Sequence, residues 1–190
     1  MARLVAGDKM PNFTFNTAYE NGKTIESVLK NKKRTIFWVL RYIGCPTCRY
    51  DVHMLAMRYQ EFLDLNTQIF VVMQSEPVNV RNDLKDTKLP FSIICDTAME
   101  IYHTLEVPAT GSKEERMPKL SAEIARLEEK RKEVKALGFV HGKYEGNEQQ
   151  LPALFLIEDD STVRYVHYAK NSIDMPTIDE VLDLLKNSTK

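Results

Sequence analysis

Cys45 and Cys48 bracket a proline and a threonine in the stretch RYIGCPTCRYD, residues 41–51. A thiol pair at this spacing can hold a metal, staple a fold or carry electrons. Structural zinc asks for four ligands, usually two such pairs, and here Cys95 and the four histidines are scattered singly. Three cysteines are also too few, and odd, for a secreted disulfide scaffold. Redox chemistry fits the residue types better. With Cys45 at the start of a helix, Pro46 occupies the first helical position, where its missing N–H is not needed. The free backbone N–H groups of Thr47 and Cys48 then face the Cys45 sulfur, and with the helix dipole they favour a thiolate. Arg41 and Arg49 bring positive charge. Cys48 lies one turn on and on the same face. It is placed to attack a mixed disulfide formed at Cys45. Cys45 is therefore the expected attacking thiol and Cys48 the resolving one, with no metal and no organic cofactor.

The elements around this stretch must present it. The run Thr35–Leu40 is apolar without interruption and reads as a strand buried on both faces, the parallel-sheet pattern. After the cysteines, Val52, Leu55, Ala56, Tyr59, Phe62 and Leu63 recur at helical spacing. Residues 68–74 and 91–96 read as two more strands. Ser75 is expected to open a short helix between them, and another follows residue 96. Residues 153–168 read as a hairpin around EDDST, with an unsettled register in its second strand. Thr177 and Glu180 form a capping box for a closing helix. The alternation of strand and helix predicts an α/β domain.

Residues 109–150 break the rhythm as an insertion. A polar linker leads to a charged helix near 118–137, with Pro118 at its start and Gly138 at its end. Its stripe of Leu120, Ile124, Leu127, Val134 and Leu137 predicts a cover over the domain; the alternative is a partner or homodimer interface.

The length of 190 residues suits one domain, 1–190, with a real core. A net charge of −1 gives no global field for nucleic acid or anionic lipid. No apolar run approaches the about 18 residues of a membrane helix. The start, MARLVAGDKMPNF, lacks the apolar core of a signal peptide. These features predict a cytoplasmic chain with no nucleic-acid or membrane partner.

The order strand, C-x-x-C, helix, strand, helix, proline, hairpin, helix resembles the thioredoxin fold. Gly7-Asp8, Pro11, Phe13 and Gly22-Lys23 resemble the leader hairpin of peroxiredoxins. A strand ending in Asp96 before a short helix is similar to another of their segments. The chain therefore resembles the alkyl hydroperoxide reductase/thiol-specific antioxidant family over nearly its whole length, and Arg41, the inserted helix and QLPALFLI resemble its peroxiredoxin-like branch. The resemblance implies a central mixed sheet flanked by helices, an N-terminal hairpin and a cis peptide before Pro152, lying against the cysteines. Leu151, just before it, would offer its backbone to an extended substrate. It implies an antioxidant oxidoreductase served by a thiol reductant system.

One departure bears on mechanism. Peroxiredoxins carry P-x-x-x-T-x-x-C, and here Trp38 and Tyr42 stand where proline and threonine would precede Cys45. Counted from Cys48 the same places hold Arg41 and Cys45. The first expectation is therefore thiol–disulfide exchange through Cys45 and Cys48. A hydroperoxide-reducing peroxidase is the alternative, and a redox-switched binding module acting through the inserted helix is a third. Arg164 is expected at the surface and Cys95 as a buried, inert thiol.

Overall fold

The structure, a computed structural model, describes residues 3–85 and 87–187. Met1 and Ala2, which open the leader read above, lie outside them.

The chain opens with a small antiparallel pair, β1 (Thr14–Phe15) and β2 (Lys23–Thr24), followed by α1 (Ile25–Leu29). The Thr24 hydroxyl accepts from Ser27 N–H and the Ser27 hydroxyl accepts from Thr24 N–H, which closes a capping box on α1. Then come β3 (Arg34–Val39), α2 (Pro46–Met57), α3 (Tyr59–Asp64), β4 (Thr67–Met73), α4 (Pro77–Leu84), β5 (Ser92–Cys95) and α5 (Glu100–Thr104). The insertion holds α6 (Lys113–Arg116) and α7 (Ser121–Ala136). The hairpin β6 (Ala153–Glu158) and β7 (Val163–Tyr168), then α8 (Ile178–Asn187), complete the described fold.

The main sheet is mixed, in the order β5-β4-β3-β6-β7. β3, β4 and β5 run parallel, whereas β6 is antiparallel to β3 and to β7. The central strand β3 is buried along its whole length, as its unbroken apolar run demands. Its side chains alternate between two cores. Ile36 and Trp38 face α2, α3 and α8, while Phe37 and Val39 face the N-terminal hairpin, α1 and α5. Phe37 stacks on Phe70 at 5.7 Å between ring centres. Each such side chain contributes about 1.5–3 kcal/mol on burial, so β3 is a rigid rail for the residues that follow it.

Three sequence expectations shift in detail. Helix α4 begins at Pro77, with no side-chain cap, because the Ser75 hydroxyl accepts from Ile43 N–H at 2.8 Å instead. The weak alternation in the second hairpin strand is a bulge, a register shift at Leu156/Ile157. The inserted helix starts at Ser121 rather than at Pro118. The expected closing box is present: Thr177 N–H donates to the Glu180 carboxylate at 2.7 Å, and Glu180 N–H donates to Thr177 Oγ1 at 3.2 Å.

The expected cover is present with two of the five residues of its stripe. Leu127 and Val134 of α7 are buried, whereas Leu120 (67% exposed), Ile124 (40%) and Leu137 (46%) face outward. Polar links complete the docking. Lys130 Nζ bonds both Asp51 oxygens at 2.6 and 2.7 Å, Tyr50 OH bonds Glu133, and Arg126 reaches the Met175 carbonyl at 2.8 Å. Helix α7 thus lies across α2, the helix that carries the cysteines.

Among the described residues no helix is long and apolar enough to cross a membrane.

Candidate active site

The chain leaves β3 at Val39 and reaches α2 at Pro46. Every step between is tied down. Leu40 N–H donates to Val72 O at 2.9 Å, and Gln74 N–H donates to Arg41 O at 2.7 Å. Buried Tyr102 donates its hydroxyl to Leu40 O at 2.5 Å. Cys45 N–H closes the turn on Tyr42 O at 3.2 Å. Gly44 passes so close to the inserted loop that a Cβ there would run into the Lys143 backbone, and Gly142 N–H donates to Gly44 O at 2.8 Å. Glycine is required at that crossing.

Cys45 is the N-cap of α2 and Pro46 opens the helix, as expected. Cys45 is 1% exposed, and its sulfur lies in a dense shell of donors. Arg41 Nη2 donates to it at 2.9 Å, Thr47 Oγ1 stands at 3.2 Å, and Cys48 N–H donates at 3.4 Å. Thr47 acts through its hydroxyl, not through the backbone N–H that helix geometry suggested. Both thiols are free; hydrogen bonding from Cys48 holds Cys45 well below the ordinary thiol range against its burial, with Arg41, Thr47 and the Cys48 N–H assisting. Cys48 is pushed well up, first by its hydrogen bonding to Cys45 and then by burial. The two shifts run in opposite directions, which is the difference an attacking and a resolving sulfur require.

Arg41 is held as well as holding. Its Nη1 donates to Glu148 O at 2.9 Å, and its charge lies 5.5 Å over the Tyr42 ring. Arg116, from the short helix α6, joins it in the site. Burial and then the neighbouring Arg41 charge lower its pKa, while the two cysteines raise it. Its Nε donates to Gln149 Oε1 at 3.2 Å.

Two cavities flank the pair. One of about 420 Å³ lies on the Cys45 side, between the α2 start, α6 and α7. The other, of about 340 Å³, lies on the Cys48 side and is lined by Trp38, Asp51, Pro152 and Ser172 among others. Helix α7 contributes to both walls.

Several expected site residues do other work. Arg49 turns away from Cys45 to Asp83 at 2.8 Å and lies 5.2 Å from the centre of the Phe139 ring. It locks the inserted loop to α2 instead of charging the thiol site. Pro152 does border the Cys48 cavity, but its peptide bond is trans: the described residues contain no cis bond. The reason lies in the approach to β6. Leu151 N–H already donates to Pro108 O at 3.0 Å, and the Gln150 amide is bonded to Pro108 O at 2.7 Å. The chain so held enters β6 extended, and nothing there offsets the about 0.5–1 kcal/mol that a cis X–Pro bond costs. The backbone of Leu151, expected to meet an extended substrate, is thus occupied: its N–H by Pro108 O and its carbonyl by the Gln150 amide at 3.3 Å. Arg164 pairs with Glu158 at 3.2 Å on the sheet surface, as expected. Cys95 is half-buried, with its pKa pushed up to about 12 by burial, so it is a poor nucleophile.

Sequence reasoning missed Arg116, because it sits in what reads as a polar linker. It missed the Glu148 carbonyl and Gln150 for the same reason. It also missed the Lys130–Asp51 pair, whose members are 79 residues apart. Charge in the insertion was the only available signal.

A depressed thiol at the head of a helix, with a second thiol one turn on and both set on a strand–turn–helix of a mixed sheet, fits a thiol-based oxidoreductase of the thioredoxin-like fold. The AhpC/TSA family model matches residues 6–166, and the chain belongs to that family. Among solved structures, peroxidoxin BcpB from Mycobacterium tuberculosis shares 13% identity with a TM-score of 0.70, over 99% of this chain and 100% of that one. A mutant of peroxiredoxin 6 from Arenicola marina shares 12% with a TM-score of 0.72, over 98% and 76%. A peroxiredoxin-like protein from Aquifex aeolicus shares 13% with a TM-score of 0.65, over 98% and 89%. No curated protein matches the sequence.

Proposed function

We propose that the protein is a thiol-dependent peroxidase, with Cys45 as the peroxide-attacking thiol and Cys48 as its resolving partner. The observation that carries this reading is the Arg41 guanidinium, 2.9 Å from a buried Cys45 sulfur that opens onto a cavity. A thiolate held by a fixed cation at the edge of a cavity is a good nucleophile for a small neutral oxidant. The thiolate attacks one peroxide oxygen and the O–O bond breaks. Cys45 becomes a sulfenic acid, and the leaving alkoxide or hydroxide takes up a proton. The Cys48 sulfur then attacks the Cys45 sulfur, water leaves, and a Cys45–Cys48 disulfide remains. An external thiol must reopen it, which fits a reducing, cytoplasmic setting.

The threonine that peroxiredoxins place three residues before their reactive cysteine is Tyr42 here. Thr47, two residues after Cys45, offers a hydroxyl to the sulfur from the other side. Family membership also favours the peroxidase over general disulfide exchange. A protein disulfide would have to reach the sulfur of a cysteine that is 1% exposed, beneath α7.

The test is the rate of thiol loss with hydrogen peroxide in wild type and in Cys48→Ser. The expected result is a rate well above that of a free thiol of the same pKa, a disulfide in wild type, and a trapped sulfenic acid in the variant. A rate equal to the free thiol's, beside ready exchange with small disulfides, would replace the peroxidase with a disulfide exchanger.

A further inference from the structure

The cavity beside Cys45 has a one-sided charge. Six cationic side chains line it: Arg41, Lys113, Arg116, Lys130, Arg131 and Lys135. No carboxylate among the described residues does, although the chain as a whole carries 27 acidic residues against 26 basic ones. Lys130 is bonded to Asp51, which lies on the other side of α7, in the second cavity. The Lys113, Arg131 and Lys135 side chains have no hydrogen bond or ion pair with the described residues. Leu127, Val134 and Phe139 form an apolar wall behind the charges. At about 420 Å³ the cavity has the size of a small-molecule site.

Hydrogen peroxide is neutral and has no use for such a field. Oxidation of the cysteines sharpens the point. While Cys45 is a thiolate it offsets part of the positive charge and repels a second anion. In the disulfide that negative charge is gone, and Arg41 and Arg116 face the cavity uncompensated. The site is therefore most attractive to anions in the state that awaits reduction.

We propose that this cavity binds a small carboxylate-bearing thiol, which is the reductant that reopens the Cys45–Cys48 disulfide. The proposal rests on the peroxidase reading for its place in the cycle. The incoming thiol gives up its proton, and its sulfur attacks Cys45 Sγ. The Cys45–Cys48 bond breaks, and Cys48 leaves with the electron pair and takes up a proton. A second thiol, likewise deprotonated, attacks the sulfur of the bound one. A small disulfide departs, and Cys45 returns as the thiolate beside Arg41. Two thiols are oxidised and one protein disulfide is reduced.

The experiment follows reduction of the full-length disulfide form by mercaptosuccinate, 2-mercaptoethanol and cysteamine, compared at equal thiolate concentration. Mercaptosuccinate should be faster than the neutral thiol by about tenfold or more, and cysteamine slower. The advantage should collapse in about 0.5 M salt and in Arg131→Glu/Lys135→Glu, two exposed positions on α7. Equal rates for the three thiols, with no salt effect, would overturn the proposal, as would efficient reduction by a dithiol protein that is indifferent to these substitutions. If hydrogen peroxide fails to form the disulfide, the peroxidase reading falls. A diamide-generated disulfide still reads the charge preference, so the two failures are separable.

Discussion

Arg41 Nη2 lies 2.9 Å from Cys45 Sγ, while the other arm of the same guanidinium is fixed to the Glu148 carbonyl. The cation of the site is thus supplied four residues before the cysteine and oriented by a loop a hundred residues away in the chain. Replacing it by Met should raise the Cys45 pKa and slow the reaction with hydrogen peroxide about 10- to 100-fold at pH 6, with a smaller loss at pH 9. The pH–rate profile checks this. An unmoved inflection would show that Arg41 does not set the thiolate.

Stability should depend on pH through the same sulfur. The folded pKa of Cys45 lies below its unfolded value of about 8.5. Its contribution is complete above that unfolded value and is lost as pH falls through the folded one. The gap in urea midpoint between reduced wild type and Cys45→Ser should therefore widen from pH 5 to about pH 8.5. A gap that narrows over that range would contradict the assignment. Cys48, pushed up, contributes in the opposite sense: its share is full below the unfolded pKa and is lost as pH rises through the folded one.

Lys130 and Asp51 tie α7 to α2, the helix that Cys45 caps. Burial raises the Asp51 pKa and Lys130 opposes that rise. Lys130→Met leaves a half-buried carboxylate without its partner and should cost about 1–3 kcal/mol in urea unfolding. Adding Asp51→Asn should recover part of the loss, as a double-mutant cycle would read. Strictly additive effects would show that the pair is not coupled.

The two faces of α7 should answer differently. Leu127→Ala removes a buried anchor and should cost about 2–3 kcal/mol. It should also quicken iodoacetamide labelling of Cys45. Leu120→Ser, on the exposed face, should stay within about 0.5 kcal/mol and leave labelling unchanged. Equal labelling in both variants would mean that α7 does not screen the thiol.

The sequence made the strands and the cysteine pair legible because their signals are local. An unbroken apolar run such as Thr35–Val39 has few alternatives to a central strand, and C-P-T-C at a strand's end has few alternatives to a helix head. The insertion was not legible in the same way. The periodicity of α7 marks a helix, but Leu120 and Leu127 look alike in sequence and only packing separates the exposed one from the buried one. The partners of Arg49 and Arg41 depended on a loop whose path no local signal fixes, so their roles came out unequal. The backbone at Pro152 followed Gln150 and Pro108, a long-range bond that a proline alone does not announce.

At Gly44 and Gly142 two backbones cross with no room for a side chain between them. The inserted segment is therefore not an ornament that could be trimmed to leave a smaller working enzyme. Its loop is the outer wall of the reactive turn, and its Glu148 carbonyl is one of the anchors of the cation that charges the sulfur. A shortened chain would keep the sheet and lose both the wall at Gly44 and the anchor of Arg41.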